Sequence, residues 1–257
     1  DADDLLLPDT LAERLALMET SGADVVYCPY QRLECQLEGG FSPGKLVQPQ
    51  LNLQDPEGHM FWDFWVPPAA LLYRRSLVQR MPPWNPLLPV IEDARFLLDA
   101  AHAGARFVRL AAVGAQYRVH RAGSLSSDQP LRFLDCILRN AQQIEARWRD
   151  EGRLDTRHAN LAAAVYSYVL QDYCKHQEGH RAQQAAADLL RVQPNLRLAR
   201  APLIARTMHL FGFGCACRLR LLLNFAVRII IRVRTFVSAS PKQPAFDDGS
   251  QTTLLRT

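Results

Sequence analysis

The residues that invite chemistry come first in the chain: Asp1-Ala2-Asp3-Asp4, followed by Leu5-Leu6-Leu7-Pro8. Carboxylates this close repel one another, and a cation or a proton relieves the repulsion. Hard divalent ions such as Mg²⁺ and Mn²⁺ take oxygen ligands, commonly one or two carboxylates together with substrate phosphates. An acidic run at a chain or helix start can also be solvated charge and nothing more. The leucine triplet argues against that, because it sets the acids at the end of a buried segment. The motif opens the chain without a methionine, which suggests a cut from something longer. A second acidic pair, Glu92-Asp93, follows the proline-framed stretch Trp84 to Pro89 and starts a helix with an apolar face of Phe96, Leu97, Ala100 and Ala101. Dipole stabilisation of a helix N-terminus accounts for such a pair without any function.

Three further features bear on binding. Phe61-Trp62-Asp63-Phe64-Trp65 puts four aromatics in five residues, suited either to stacking on a sugar ring or to a core. Tyr117 to Ser126 runs from a strand into a polar loop rich in Arg, His and Ser. The charge is divided: residues 1–100 hold 7 Lys/Arg against 15 Asp/Glu, and residues 101–257 hold 23 against 11. An acidic half and a basic half fit an ion-binding region followed by one that meets phosphate or an anionic surface. The six cysteines are scattered, as in a reducing compartment; Cys215 and Cys217 lack a second pair with which to hold a metal.

The elements that must position these residues read as α/β. Pro8 suits the first turn of a helix. Leu11, Leu15 and Met18 recur at helical spacing, and Gly22 is a stop. Residues 23–28 and 31–37 read as strands, so the acidic segment, helix and strand form a β-α-β unit with parallel pairing. Residues 38–60 read as a long loop, 69–73 as a strand, 74–81 as a short helix, and 107–110 and 114–119 as two short strands. From Pro130 the pattern is helical: a stripe of Leu131, Leu134, Leu138, Ala141 and Trp148, then helices over 155–176 and 180–192. Residues 197–236 carry eight arginines and no acid. Charges interrupt that stretch too often for a membrane span, and it reads as a basic amphipathic helix lying on an anionic bilayer or packing on its own domain. Residues 238–257 read as a disordered tail.

Four segments, in this order and spacing, resemble family 2 glycosyltransferases of the GT-A fold. They are Asp-Ala-Asp-Asp before the first helix (the DxD region), Trp65-Val-Pro-Pro-Ala-Ala-Leu-Leu-Tyr-Arg-Arg, Ile91-Glu92-Asp93 (the ED element), and Tyr117-Arg118-Val-His120-Arg-Ala-Gly-Ser124-Leu-Ser126 (the YRxHxxSxS segment). The resemblance covers residues 1–127. It implies a truncated GT-A domain there, a mixed sheet with helices whose nucleotide-binding half would precede Asp1, and then a helical region over 128–237.

The same resemblance implies transfer of a sugar from a nucleotide-diphosphate donor, UDP-linked, to a hydroxyl acceptor with inversion. Asp93 would be the catalytic base; Asp1, Asp3, Asp4, Arg118 and Arg121 would meet the donor, and Trp65 and Glu92 the acceptor. Mg²⁺ or Mn²⁺ would be held by Asp3 and His120. The expected setting is surface polysaccharide or glycolipid synthesis in the cytoplasm, peripheral to the inner face of the membrane through 197–236, with a glycan or lipid-linked acceptor and no nucleic acid. Gln143-Ile-Glu-Ala-Arg147-Trp148 imitates the QxxRW segment of processive synthases with one residue too many, which favours single-sugar addition. The alternative is a non-catalytic scaffold whose basic helical half binds a membrane or a protein; it has no reason to keep Asp3 and Asp93 together. A metal-dependent phosphohydrolase would want further His/Asp clusters than this sequence offers.

Overall fold

The computed structural model describes residues 3–120, 123 and 128–194. Asp1, Arg121, the Ser124–Ser126 segment, the basic stretch 197–236 and the tail lie outside the described residues. The described chain is a mixed α/β fold with two mixed sheets and seven α-helices. In one sheet, β2 (Val25–Tyr27) is central, antiparallel to β5 (Leu71–Tyr73) and parallel to β6 (Phe107–Arg109). Its residues are wholly buried, as expected of an apolar run covered on both faces. The other sheet has the order β1 (Leu5–Leu6), β7 (Ala115–Val119), β3 (Tyr30–Cys35), β4 (Phe41–Val47). Here β7 is antiparallel to β1 and parallel to β3, and β3 and β4 form a hairpin.

Three expectations of element placement are corrected, and one of burial: Leu5 and Leu6 of β1 are 39% and 52% exposed, so the acids do not sit at the end of a buried segment. The parallel β-α-β unit does not form, because both edges of β2 are taken by β5 and β6, and β1 zips onto β7 instead. Helix α1 spans Thr10–Ser21, so Pro8 precedes it; Asp9 at φ 63° turns the chain into the helix, and Gly22 at φ 66° ends it as anticipated. The buried stripe of α1 is Thr10, Arg14 and Met18, while Leu11 and Leu15 are 54% and 51% exposed. Arg14 is buried because it donates to the carbonyls of Thr10, Ala69 and Leu71 (3.3, 2.9 and 3.2 Å), the last two lying where the chain enters β5. Third, residues 38–60 are not one long loop. Gly39 and Gly40 turn the β3–β4 hairpin at positive φ, and Pro56 sits in the first turn of α2 (Pro56–Trp62), capped by Asp55 accepting from Gly58 N–H at 3.1 Å.

The helical part forms as its periodicity predicts: α5 (Pro130–Asp150), α6 (Thr156–Lys175) and α7 (Gly179–Val192), after α3 (Arg75–Arg80) and α4 (Glu92–His102). Helix α5 buries Leu134, Leu138, Ala141, Ile144 and Trp148. Trp148 packs on Phe61 of α2 at 4.8 Å and donates to Glu57 at 2.8 Å, tying the helices to the sheet-bearing part. Glu145 is fully buried and held by Tyr166 (2.6 Å), Arg149 and Arg191. Among the described residues no helix is long and apolar enough to cross a membrane.

Candidate functional site

Strand β7 organises the site. Its pairing with β1 brings Leu5 opposite Gln116, so the residues just before β1 meet those at the end of β7. His120 Nε2 lies 2.8 Å from Asp3 Oδ2. The Arg118 N–H donates to Asp4 Oδ1 at 3.0 Å, and the Arg118 guanidinium donates to the Asp3 carbonyl. The hydrogen bond from His120 draws the Asp3 carboxyl below its ordinary range. Asp4 behaves oppositely: burial pushes its carboxyl up, Arg118 N–H opposes the shift, and the Asp3 charge adds to it.

Asp93 sits in the first turn of α4. Its Oδ2 accepts from Trp65 Nε1 at 2.9 Å and its Oδ1 from Ala94 N–H at 2.7 Å, which fixes the carboxylate while leaving lone pairs on both oxygens. Trp65 is held by the extended Val66-Pro67 stretch leading into the 3₁₀ turn Pro68–Ala70. Its ring packs edge to face on Tyr117 at 5.6 Å. Tyr117 immediately precedes Arg118, so the chain of contact Asp93–Trp65–Tyr117–Arg118–Asp4 is continuous. Burial raises the Tyr117 phenol, and the charges of Asp4, Tyr30 and Asp93 add to it. Tyr73 is raised likewise, by burial and then by Asp93.

Thus Asp3, Asp4, Trp65, Asp93, Arg118 and His120 are joined through one contiguous set of contacts, with Glu92 beside Asp93 in the first turn of α4. Asp1 and Arg121 lie outside the described residues. Five buried side-chain polar atoms among the described residues lack a hydrogen-bond partner; two of them, Asp4 Oδ2 and Arg118 Nε, belong to this set, and a third, Glu92 Oε2, is on the residue preceding Asp93. Buried polar atoms are nearly always paired, so such a concentration calls for a ligand, ion or water. Asp3 and His120 offer a divalent ion one carboxylate and one imidazole, of which the carboxylate is the kind of oxygen ligand that Mg²⁺ and Mn²⁺ prefer. Among the described residues no three His, Cys, Asp or Glu side chains converge as a ligand group.

Sequence reasoning missed two contributors, Tyr30 and Phe41. Tyr117 and Tyr30 meet edge to face at 6.1 Å, from paired strands. Phe41 of β4 lies 5.2 Å below the Arg118 guanidinium and 5.3 Å from the His120 ring, holding both side chains near Asp3. The Gly39-Gly40 pair next to Phe41 was the available signal for a hairpin there. Of the aromatic cluster, Phe61 and Phe64 are core, packed on Trp148 (4.8 Å) and Tyr27 (5.5 Å); Trp65 belongs to the site.

A shallow, open cleft of about 450 Å³ lies elsewhere, lined by Asn85, Arg95, Gln143, Ala146, Arg147, Asp150 and Glu151. Gln143 and Arg147, four residues apart on α5, both face it. No protein-family model matches the chain, and no curated protein shows significant similarity to it.

Proposed function

We propose that the chain belongs to an inverting glycosyltransferase of the family 2 type on a GT-A-like fold, moving a sugar from a UDP-type donor to a hydroxyl acceptor in surface polysaccharide or glycolipid assembly. The observation that carries the reading is the pair of unpartnered buried atoms on Asp4 and Arg118, within the set that also joins Asp3 to His120 and Asp93 to Trp65.

In this reading Asp93 takes the proton of the acceptor hydroxyl. The freed oxygen attacks the anomeric carbon, the bond to the diphosphate oxygen breaks, and the diphosphate leaves with the electron pair. Attack opposite the leaving group inverts the anomeric centre through an oxocarbenium-like transition state. Trp65 orients the base, as a third group commonly does in acid–base sites. Arg118, and by the resemblance Arg121, would meet the donor phosphates, and Glu92 Oε2 would accept from an acceptor hydroxyl. Asp3 and His120 would hold Mg²⁺ or Mn²⁺, with Asp1 nearer the nucleotide; bound there, the ion would neutralise the departing diphosphate.

Leu5 and Leu6 on the edge strand β1 and Leu11 and Leu15 on α1 are exposed, apolar surface that suits a contact with the nucleotide-binding half of such a fold. The basic stretch 197–236 would hold the enzyme near a lipid-linked acceptor.

The test is Mn²⁺ titration by electron paramagnetic resonance with UDP present, on the full chain and on Asp3→Ala and His120→Ala. Loss of about tenfold or more in Mn²⁺ affinity in both variants is expected. Unchanged Mn²⁺ uptake in both variants, or no uptake by the parent chain, refutes the reading and leaves a scaffold as the better account.

A further inference from the structure

Trp84 is a large aromatic left half exposed on a loop that is otherwise tightly anchored. Leu88 of that loop is fully buried in a cluster with Ile91 and Cys136. The Leu87 N–H donates to Asn85 Oδ1 at 3.0 Å, Leu88 N–H to the Asn85 carbonyl at 3.1 Å, and Asn85 Nδ2 to Gln143 Oε1 at 2.9 Å. Arg139 reaches the Leu87 carbonyl at 3.2 Å. The indole is therefore presented by a rigid frame. One face lies flat on Phe96, at 4.8 Å and 6° between planes, and the ring keeps 50% of its surface exposed. Phe96 is one helical turn beyond Asp93 on α4 and packs on Tyr73 at 5.4 Å.

The shallow 450 Å³ cleft is lined by the chain neighbours of this aromatic pair. Asn85 follows Trp84 and Arg95 precedes Phe96, and both line it, with Gln143, Arg147, Asp150 and Glu151 completing the wall. Its planar polar groups are already locked to one another: Arg95 donates to Asp99 (2.9 Å), Asn140 (3.0 Å) and Gln143 (2.7 Å), and Arg147 to Asp99 (2.9 Å). Those bonds leave the Gln143 amide N–H groups and further Arg147 N–H groups to donate, and the Asp150 carboxylate to accept. Polar groups fixed in place with capacity to spare recognise hydroxyls at little ordering cost. A flat aromatic beside such a wall matches a pyranose, whose axial C–H face is apolar and whose rim is hydroxylated.

We propose that Trp84 and this cleft form a saccharide-binding subsite, in which one pyranose lies on the indole and its neighbour hydrogen-bonds in the cleft. The assignment rests on the glycosyltransferase reading for its role, which is to hold the acceptor glycan beyond the residue that faces Asp93.

The experiment is saturation-transfer NMR on the full chain, with methyl hexopyranosides of the gluco, galacto and manno series and their β-1,4-linked disaccharides. Transfer to the axial protons of at least one series is expected, with the disaccharide bound more tightly than the monosaccharide. Trp84→Ala should weaken binding about tenfold, and Trp84→Phe should restore part of it. Trp62→Ala is the comparison, since Trp62 is also about half exposed but stands at the end of α2. No transfer from any sugar, unchanged transfer in Trp84→Ala, or equal loss in Trp62→Ala overturns the proposal. Sugar binding lost with Trp84 but without Mn²⁺ binding at Asp3 and His120 would keep this subsite and refute the transferase. Mn²⁺ binding without sugar binding would do the reverse.

Discussion

Removing the Glu57 carboxylate should destabilise the whole described unit, because this one side chain ties α2 to α4 and α5. It is buried and accepts from Trp148 Nε1 (2.8 Å), from His102 Nδ1 (3.0 Å) and from Arg153. In Glu57→Ala the Trp148 N–H, on a residue with no exposed surface, is left without an acceptor, at about 1–3 kcal/mol. His102 keeps Glu151 at 3.1 Å and is partly exposed, so its loss adds about 1 kcal/mol. Arg153 is the most exposed of the three and can rehydrate, so it adds about 0.5 kcal/mol. The sum is about 3 kcal/mol, or about 6–12 °C in Tm for a unit of this size. Glu57→Gln keeps an oxygen for Trp148 but turns an amide N–H₂ toward Arg153, so about half that loss is expected.

The pH dependence of Glu57 has a definite sign. Burial pushes its carboxyl up, but hydrogen bonds from Arg153, His102 and Trp148 outweigh burial, and the net shift is downward from 4.5. A depressed folded value means stabilisation that is complete above the unfolded pKa and lost as pH falls through the folded one. The gap between parent and Glu57→Ala should therefore be present at pH 7 and shrink toward pH 3. Thermal melts at both values measure it, and Trp148→Phe as the second arm of a double-mutant cycle isolates the indole bond. A Tm change under about 2 °C at pH 7, or the same change in the Trp148→Phe background, would refute the argument.

Two further outcomes are expected. Asp93→Asn keeps shape and the Trp65 contact but cannot take a proton, so an active form of the transferase should lose on the order of 10²–10⁴-fold in kcat with donor binding little changed; near-parent turnover would return Asp93 to a helix-start acid. In Gly114→Ala a new Cβ would lie 2.3 Å from Thr10 Oγ1 and 2.6 Å from Cys28 Sγ, where Gly114 also bonds Leu7 and Pro29, so about 1–3 kcal/mol of destabilisation should appear in urea unfolding; a variant of unchanged midpoint would contradict this packing.

The helical part was legible because its signal is long and local. The stripe from Leu134 to Trp148 repeats over about four turns, and no partner is needed to read it. The sheets were legible as strands but not as pairings, since nothing local says that β1 will choose β7 over β2. That choice follows from β5 and β6 already occupying both edges of β2, which is a property of the whole fold. The α1 stripe misled for the same reason: Arg14 outcompetes Leu11 and Leu15 for the interior because the carbonyls of Ala69 and Leu71, 55 and 57 residues away, need a donor.

The candidate site divides along the same line. Asp3, Asp93, Arg118 and His120 stand out by residue type and by their resemblance to known motifs, and each can be named without coordinates. What joins them cannot. Tyr117 can be named from the YRxHxxSxS-like segment, but its linking role shows only when Trp65 is found on one side of it and Tyr30 on the other. Phe41 lies in a stretch whose Gly and Pro content masks a strand, and it supports Arg118 and His120 from β4. Acids and bases announce their own chemistry, whereas the apolar side chains that hold them in register do so only through contacts distant in sequence. The Trp65–Tyr117 contact is therefore the joint on which the reading depends, since it connects the carboxylate proposed to take a proton to the strand that holds the pair proposed to hold an ion.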